Sequence, residues 1–163
     1  MLGVVMLIIK QSRQDAFNMP LIGEILRNRN EWDFAAPFQR DSVWFVEQKL
    51  KLWDAILDGD LIPSFVFNSS SQTAKQYTII DGKQRLEAIL DFIDGKILVR
   101  GESWDEQNSD FKFEITSMLF QCIQTRFDTY EEMANTYLNR LILGREHMPG
   151  ELQRAVNITR RNH

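Results

Sequence analysis

The sequence predicts an α+β domain, a small mixed sheet with helices around it. Its 163 residues form one domain long enough for a real core, and 44% hydrophobic with 26% charged residues is typical of a folded globular chain. Short β-prone runs and longer amphipathic segments follow one another without a repeating β-then-α order. One stretch, residues 76–93 (QYTIIDGKQRLEAILDFI), passes from strand to helix through Asp81-Gly82 with no linker.

Residues 1–9 are apolar, with Val4, Val5, Ile8 and Ile9 suited to a buried strand. Nine residues are too few to span a bilayer as a helix, and the basic start and cleavage site of a signal peptide are missing. A cytoplasmic chain without membrane contact is expected. Residues 11–18 are polar and read as a loop. Pro20 opens a short helix with Ile22, Ile25 and Leu26 as its apolar positions, ending near 27–30. Residues 31–40 take an extended course, favoured by Pro37.

The spacing predicts a helix over 43–58, with Val46, Leu50, Trp53 and Leu57 in one stripe, Ile56 widening it and Gly59 as its stop. Trp44 and Trp53 read as core aromatics. A strand at 63–68 and a polar turn at 69–73 lead to the β-prone run 77–80. Leu86, Ile89, Leu90 and Ile93 then fall at i, i+3, i+4 and i+7, the apolar face of a helix over 82–93. Residues 95–100 predict a strand and 101–110 an exposed loop. Glu102, Asp105, Glu106 and Asp110 lack the ligand order of a calcium loop and read as a solvated acidic face. A further strand is expected at 120–125, and Asp128 or Thr129 caps a helix over 130–143 with Met133, Tyr137, Arg140 and Leu141 near one side. A last helix over 149–158 leads to a basic tail that reads as a frayed terminus.

The formal charge of −4 argues against a globally basic nucleic-acid binder but leaves room for a local basic site. Cys122 is alone, which excludes an internal disulfide and a cysteine zinc cluster and leaves a buried structural thiol. His147 and His163 are the only histidines, so serine and cysteine hydrolase chemistry lacks a partner base.

The turn at 81–85 is where chemistry concentrates. Asp81 is suited to cap the helix, Gly82 allows a sharp turn and close approach, and Lys83, Gln84 and Arg85 occupy the first helical turn. Free N–H groups and the helix dipole favour phosphate there. Arg85 can grip an anion through two parallel hydrogen bonds, whereas Lys83 acts as a point charge. The plainer alternative is a capped helix whose charges are solvated; the strand–turn–helix context favours the phosphate reading.

Ile80-Asp81-Gly82-Lys83-Gln84-Arg85-Leu86 resembles the I-D-G-x-Q-R-L signature of the ParB/sulfiredoxin-like domain at the N-terminus of GmrSD-type restriction enzymes. Phe38-Gln39-Arg40-Asp41, Trp44 and Glu47-Gln48 resemble the same family's upstream element, and Ile62-Pro63-Ser64 its Ile-Pro before a strand. The resemblance runs over about residues 34–155. Arg140, Leu141 and Gly144 match a further segment, and Met148-Pro149-Gly150-Glu151-Leu152 the one after it. Two positions depart: Leu138 stands where an aromatic is expected and Ile142 where an asparagine is expected. Such relatives continue into more of the domain and then a nuclease domain, so a short stand-alone member is expected.

The resemblance implies a ParB/sulfiredoxin-like sheet and a function in nucleotide hydrolysis linked to DNA cleavage, in restriction or phage defence. In that reading Asp81 orients the turn, a water or Mg²⁺. Gly82 and the following N–H groups hold a phosphate, Lys83 and Arg85 neutralise it, Arg40 clamps it from the upstream segment, Gln84 positions the attacking water, and Gln39 helps to bind the nucleotide, whose base is open. Arg40 could instead pair with Asp81 or another acid and hold two segments together. The second functional reading is a non-catalytic module acting through a nuclease partner or DNA. A third, a stand-alone metal-dependent nuclease, is disfavoured by the acidity and the lack of a metal cluster. Cys122 is remote from the turn, which sets redox chemistry aside.

Overall fold

The computed structural model describes residues 14–144, with side chains to residue 140. The expected strand at 1–9 and helix at 149–158, the motif at 148–152 and both histidines lie outside the described residues. Among the described residues no helix is long and apolar enough to cross a membrane.

The fold is α+β. Its strands are β1 (Gln14–Met19), β2 (Trp32–Asp33), β3 (Phe65–Ser69), β4 (Tyr77–Asp81) and β5 (Phe120–Thr125), in the sheet order β1-β5-β3-β4-β2. The sheet is mixed: β1–β5 and β3–β4 are antiparallel, β3–β5 and β2–β4 parallel. The helices are α1 (Leu21–Arg27), α2 (Val46–Leu57), α3 (Lys83–Ile93), α4 (Ser109–Ser117) and α5 (Tyr130–Gly144).

Both faces of the central strands are covered, and successive side chains serve opposite layers. Phe65, Phe67, Ile79 and Cys122 face a core shared with α1, α2, α3 and α4. Val66 and Ile80 face a second core with Ala36, Phe38 and, from α5, Met133, Ala134 and Tyr137. Two-sided burial explains why Phe65, Val66 and Phe67 in β3 and Ile79 and Ile80 in β4 are apolar at successive positions. Ile79 and Ile80, each fully buried, contribute about 2 kcal/mol apiece by leaving water.

Several expectations need correction. The polar segment expected as a loop at 11–18 contains β1, which pairs with β5 from Gln14↔Thr125 to Met19↔Phe120. Among the described residues it is an edge strand with exposed side chains, so backbone pairing rather than apolar alternation makes it. The expected strand at 95–100 is absent. Val99 and Glu102 instead exchange backbone bonds of 3.0 and 3.1 Å across Arg100 and Gly101, both at positive φ, which is a tight turn. Ile97 and Val99 are buried there without a sheet neighbour. The four acidic residues of 101–110 are exposed, as expected, but Asp110 lies in the first turn of α4, opened by Asn108, whose side chain accepts from the Phe111 N–H at 2.8 Å.

Two boundaries move for reasons that bear on the site. α2 begins at Val46 rather than 43, because the Val43 and Trp44 N–H groups bond elsewhere, and its buried face is Leu52, Trp53 and Ile56, with Val46 exposed. β3 begins at Phe65 rather than 63, because the Pro63 and Ser64 carbonyls accept from Arg85. Trp53 is fully buried, as expected; Trp44 is half-buried at the edge of the core.

Candidate anion-binding site

β4 ends on Asp81, and α3 starts two residues later. Between them Gly82 has φ +103°, and a Cβ there would lie 2.4 Å from Phe65 Cδ1. Only glycine meets both demands. Gly82, not Asp81, therefore holds the cap position, and the expected Asp81 cap is replaced by a different use of its carboxylate. Asp81 is 4% exposed; its Oδ2 accepts from Arg140 Nε at 2.9 Å, and its Oδ1 lies 3.6 Å from Arg85 Nη2.

A bulge aims Asp81. Val66 pairs with Asp81 and Phe67 with Ile79, so Ile80 is an extra residue in β4. Gln39 binds the backbone at the bulge: its Nε2 donates to Ile79 O at 2.9 Å and to Ile80 O at 2.6 Å. This anchors the segment before α2 onto the sheet.

Gln84 and Lys83 anchor the same segment from α3. Gln84 Oε1 accepts from the N–H groups of Val43 (2.9 Å) and Trp44 (3.2 Å), and its Nε2 donates to Asp41 O at 3.3 Å. Lys83 Nζ donates to Arg40 O at 2.7 Å and lies 3.9 Å from Glu87. Arg85 donates to the carbonyls of Pro63 and Ser64, and its guanidinium carbon lies 4.6 Å above the Phe65 ring. Irregular backbone at 39–44 is thus bonded by side chains in place of a strand or helix.

The structure brings all seven expected residues together. Gln39, Arg40, Asp81, Gly82, Lys83, Gln84 and Arg85 line a cavity of about 40 Å³, with Trp44 and Tyr137. Arg40, Lys83 and Gln84 are each 8% exposed. Trp44, Asp81 and Arg85 also line a larger cleft of about 840 Å³ between α2, α5 and the sheet, with apolar walls from Leu52, Ile62, Val66 and Ile123. Among the described residues, the charged lining of both cavities is Arg40, Lys51, Lys83, Arg85 and Arg140 against the carboxylate of Asp81. An acidic protein thus carries a locally cationic concavity, suited to an anion.

Arg140 was not among the expected site residues. Its only sequence signals were the Arg140-Leu141 match to the resembled segment and a place beside Met133 and Tyr137 on one helix face. Tyr137, 2% exposed, packs its ring against Phe38 at a tilt of 41°, 5.7 Å between centroids, and holds α5 against this side of the sheet.

The fold and this turn define an α+β domain with an arginine-rich site at the junction of a central strand and its helix. A model of the family described as the GmrSD restriction endonuclease N-terminal domain matches residues 22–157, and the chain belongs to that family. Comparison with curated proteins gave no match, and neither did comparison with solved structures.

Proposed function

We propose that the chain binds a nucleoside triphosphate, with its phosphates at the Asp81–Arg85 turn, as a nucleotide-responsive domain in DNA restriction. The observation that carries this reading is the cationic lining of the small cavity at the N-terminus of α3, continuous through Trp44, Asp81 and Arg85 with a cleft of about 840 Å³. The small cavity has the scale of a phosphoryl group, and the cleft that of a small-molecule site. Arg40 and Lys83 face the anion, joined by the N–H groups of the first helical turn. Ribose and base extend along the cleft, past the ring of Trp44.

Among the described residues no three His, Cys, Asp or Glu side chains group as metal ligands. A Mg²⁺ would travel on the oxygens of the triphosphate, as this ion often does. Gln84 and Arg85 act in this reading through the segments they hold, at 41–44 and 63–64.

Those same bonds favour binding without hydrolysis as the second reading. Asp81 is engaged by two arginines and the Gln84 amide by three backbone groups, so neither is poised as a base for water. Such a module acts through a nuclease partner or DNA.

Isothermal titration with ATP, GTP and CTP plus Mg²⁺, beside an Arg40→Met variant, tests the proposal. Saturable binding of one nucleotide, lost in the variant, is expected. A folded protein that binds none of them overturns it. Phosphate release by the bound complex then separates turnover from binding.

A further inference from the structure

The cleft of about 840 Å³ carries positive charge where the nucleotide reading places only ribose and base. One of its walls is the face of α2 formed by Gln48, Lys51, Leu52 and Ala55, at i, i+3, i+4 and i+7. Another is the face of α5 formed by Thr136, Asn139 and Arg140, at i, i+3 and i+4. Lys51 and Arg140 thus open onto the same cleft by their helical positions.

The cations of this lining differ in what already holds them. Arg85 donates to the Pro63 and Ser64 carbonyls and lies over the Phe65 ring. Arg140 donates to Asp81 through Nε, which leaves the two Nη groups of its guanidinium for another acceptor. Lys51 is exposed, and among the described residues it has neither an ion pair nor a hydrogen bond. The Asp81 carboxylate is already shared between Arg140 and Arg85. The cleft therefore presents two cations with donors to spare, beside apolar walls from Leu52, Val66 and Ile123. Ribose and base are uncharged and leave those donors to water, whereas an anion among apolar walls is a far stronger acceptor for them.

We infer that the site takes a nucleotide with a second phosphate, on the 3′-oxygen of its ribose, held in the cleft by Arg140 and Lys51. This rests on the nucleotide reading: with the 5′-phosphates at the turn beside Arg40 and Lys83, the 3′-oxygen lies on the far side of the sugar, in the cleft. Arg140 grips the second phosphate through its Nη pair, and Lys51 acts on it as a point charge. The base lies against the apolar walls. A terminal 3′-phosphate and the 3′,5′-phosphodiester of a dinucleotide share this chemistry.

Isothermal titration of the full chain with matched nucleotides tests this. The probes are the 5′-monophosphates, 3′,5′-bisphosphates and 5′-diphosphates of adenosine, guanosine and cytidine, with the 5′-phosphorylated dinucleotides of the same bases. For the base that binds, the 3′,5′-bisphosphate should bind about fivefold or more tighter than the monophosphate. In Lys51→Met that gain should shrink to about twofold. The gain from the 5′-diphosphate, whose phosphates both lie at the turn, should shrink less. A dinucleotide that keeps the gain makes the phosphodiester the ligand, and one that loses it makes a terminal 3′-phosphate the ligand; either supports the inference. Equal affinity for monophosphate and bisphosphate overturns it and leaves nucleotide binding at the turn standing. So does a bisphosphate that fails to bind at millimolar concentration when the triphosphate binds. A gain that survives Lys51→Met, or that falls there no more than the gain from the diphosphate, overturns it as well. A folded protein that binds no nucleotide at all, triphosphates included, overturns the nucleotide reading and this inference together.

Discussion

Arg140 Nε stands 2.9 Å from Asp81 Oδ2, joining α5 to the end of β4 across 59 positions of the chain. Asp81 is nearly enclosed and has Arg85 on its other oxygen at 3.6 Å. Replacing it by Asn leaves two guanidinium groups without their counter-charge. The expected loss is about 2–3 kcal/mol, under the 3–5 kcal/mol of fully buried pairs because a third of the Arg140 side chain stays in water. Urea denaturation of Asp81→Asn against wild type measures it.

Gly82→Ala should be costlier than other glycine changes. It meets a positive φ and the Phe65 ring at once, and about 2–4 kcal/mol is expected from strain plus overpacking. Gly59→Ala is the control: its φ is +74°, but nothing lies within 4 Å of the added carbon, so about 1 kcal/mol is expected. Equal midpoint shifts in thermal unfolding would contradict the close approach to Phe65.

Gln84→Ala removes the acceptor of two N–H groups and should cost about 1–2 kcal/mol. Its larger effect should be on the site, since Arg40 and Trp44 flank the released backbone. Nucleotide affinity is expected to fall more than stability, and Trp44 fluorescence to shift towards that of an exposed indole.

Burial pushes the Cys122 thiol up to about 12, from an ordinary value of 9.0. The unfolded chain therefore gives up this proton first as pH rises. Stability owed to the group is complete below pH 9 and is lost between pH 9 and 12, at up to about 1.4 kcal/mol per pH unit. Denaturation at pH 8 and pH 10 should show this slope in wild type and not in Cys122→Ala. The native thiol should also resist alkylation at pH 8 until the protein unfolds.

The turn at 81–85 was legible because its signals are local: a β run, Asp-Gly, and apolar positions at helical spacing. β5 and the start of α5 were legible for the same reason. The partners of the turn were not. Nothing in residues 77–81 announces a bulge, and without the bulge Gln39 has no visible reason to reach the sheet. Arg140 approaches Asp81 only once α5 has packed over Val66 and Ile80. The segment at 95–100 misled because burial of Ile97 and Val99 copies strand alternation while no sheet edge is available to them. β1 misled in the opposite sense, since an edge strand held by its backbone carries no apolar signature.

The loop at 39–44 owes its shape to two side chains from outside it, Lys83 and Gln84, and that has a kinetic consequence. Its amides at Val43 and Trp44 are bonded to a side chain, not to a ladder, so they can exchange with solvent only when Gln84 lets go. Hydrogen–deuterium exchange at these two positions should be slow for irregular backbone, and its protection should report the free energy of opening the Gln84 bonds. A ligand held at the turn would slow both amides together, which makes the pair a built-in reporter on the bonds that wall the small cavity.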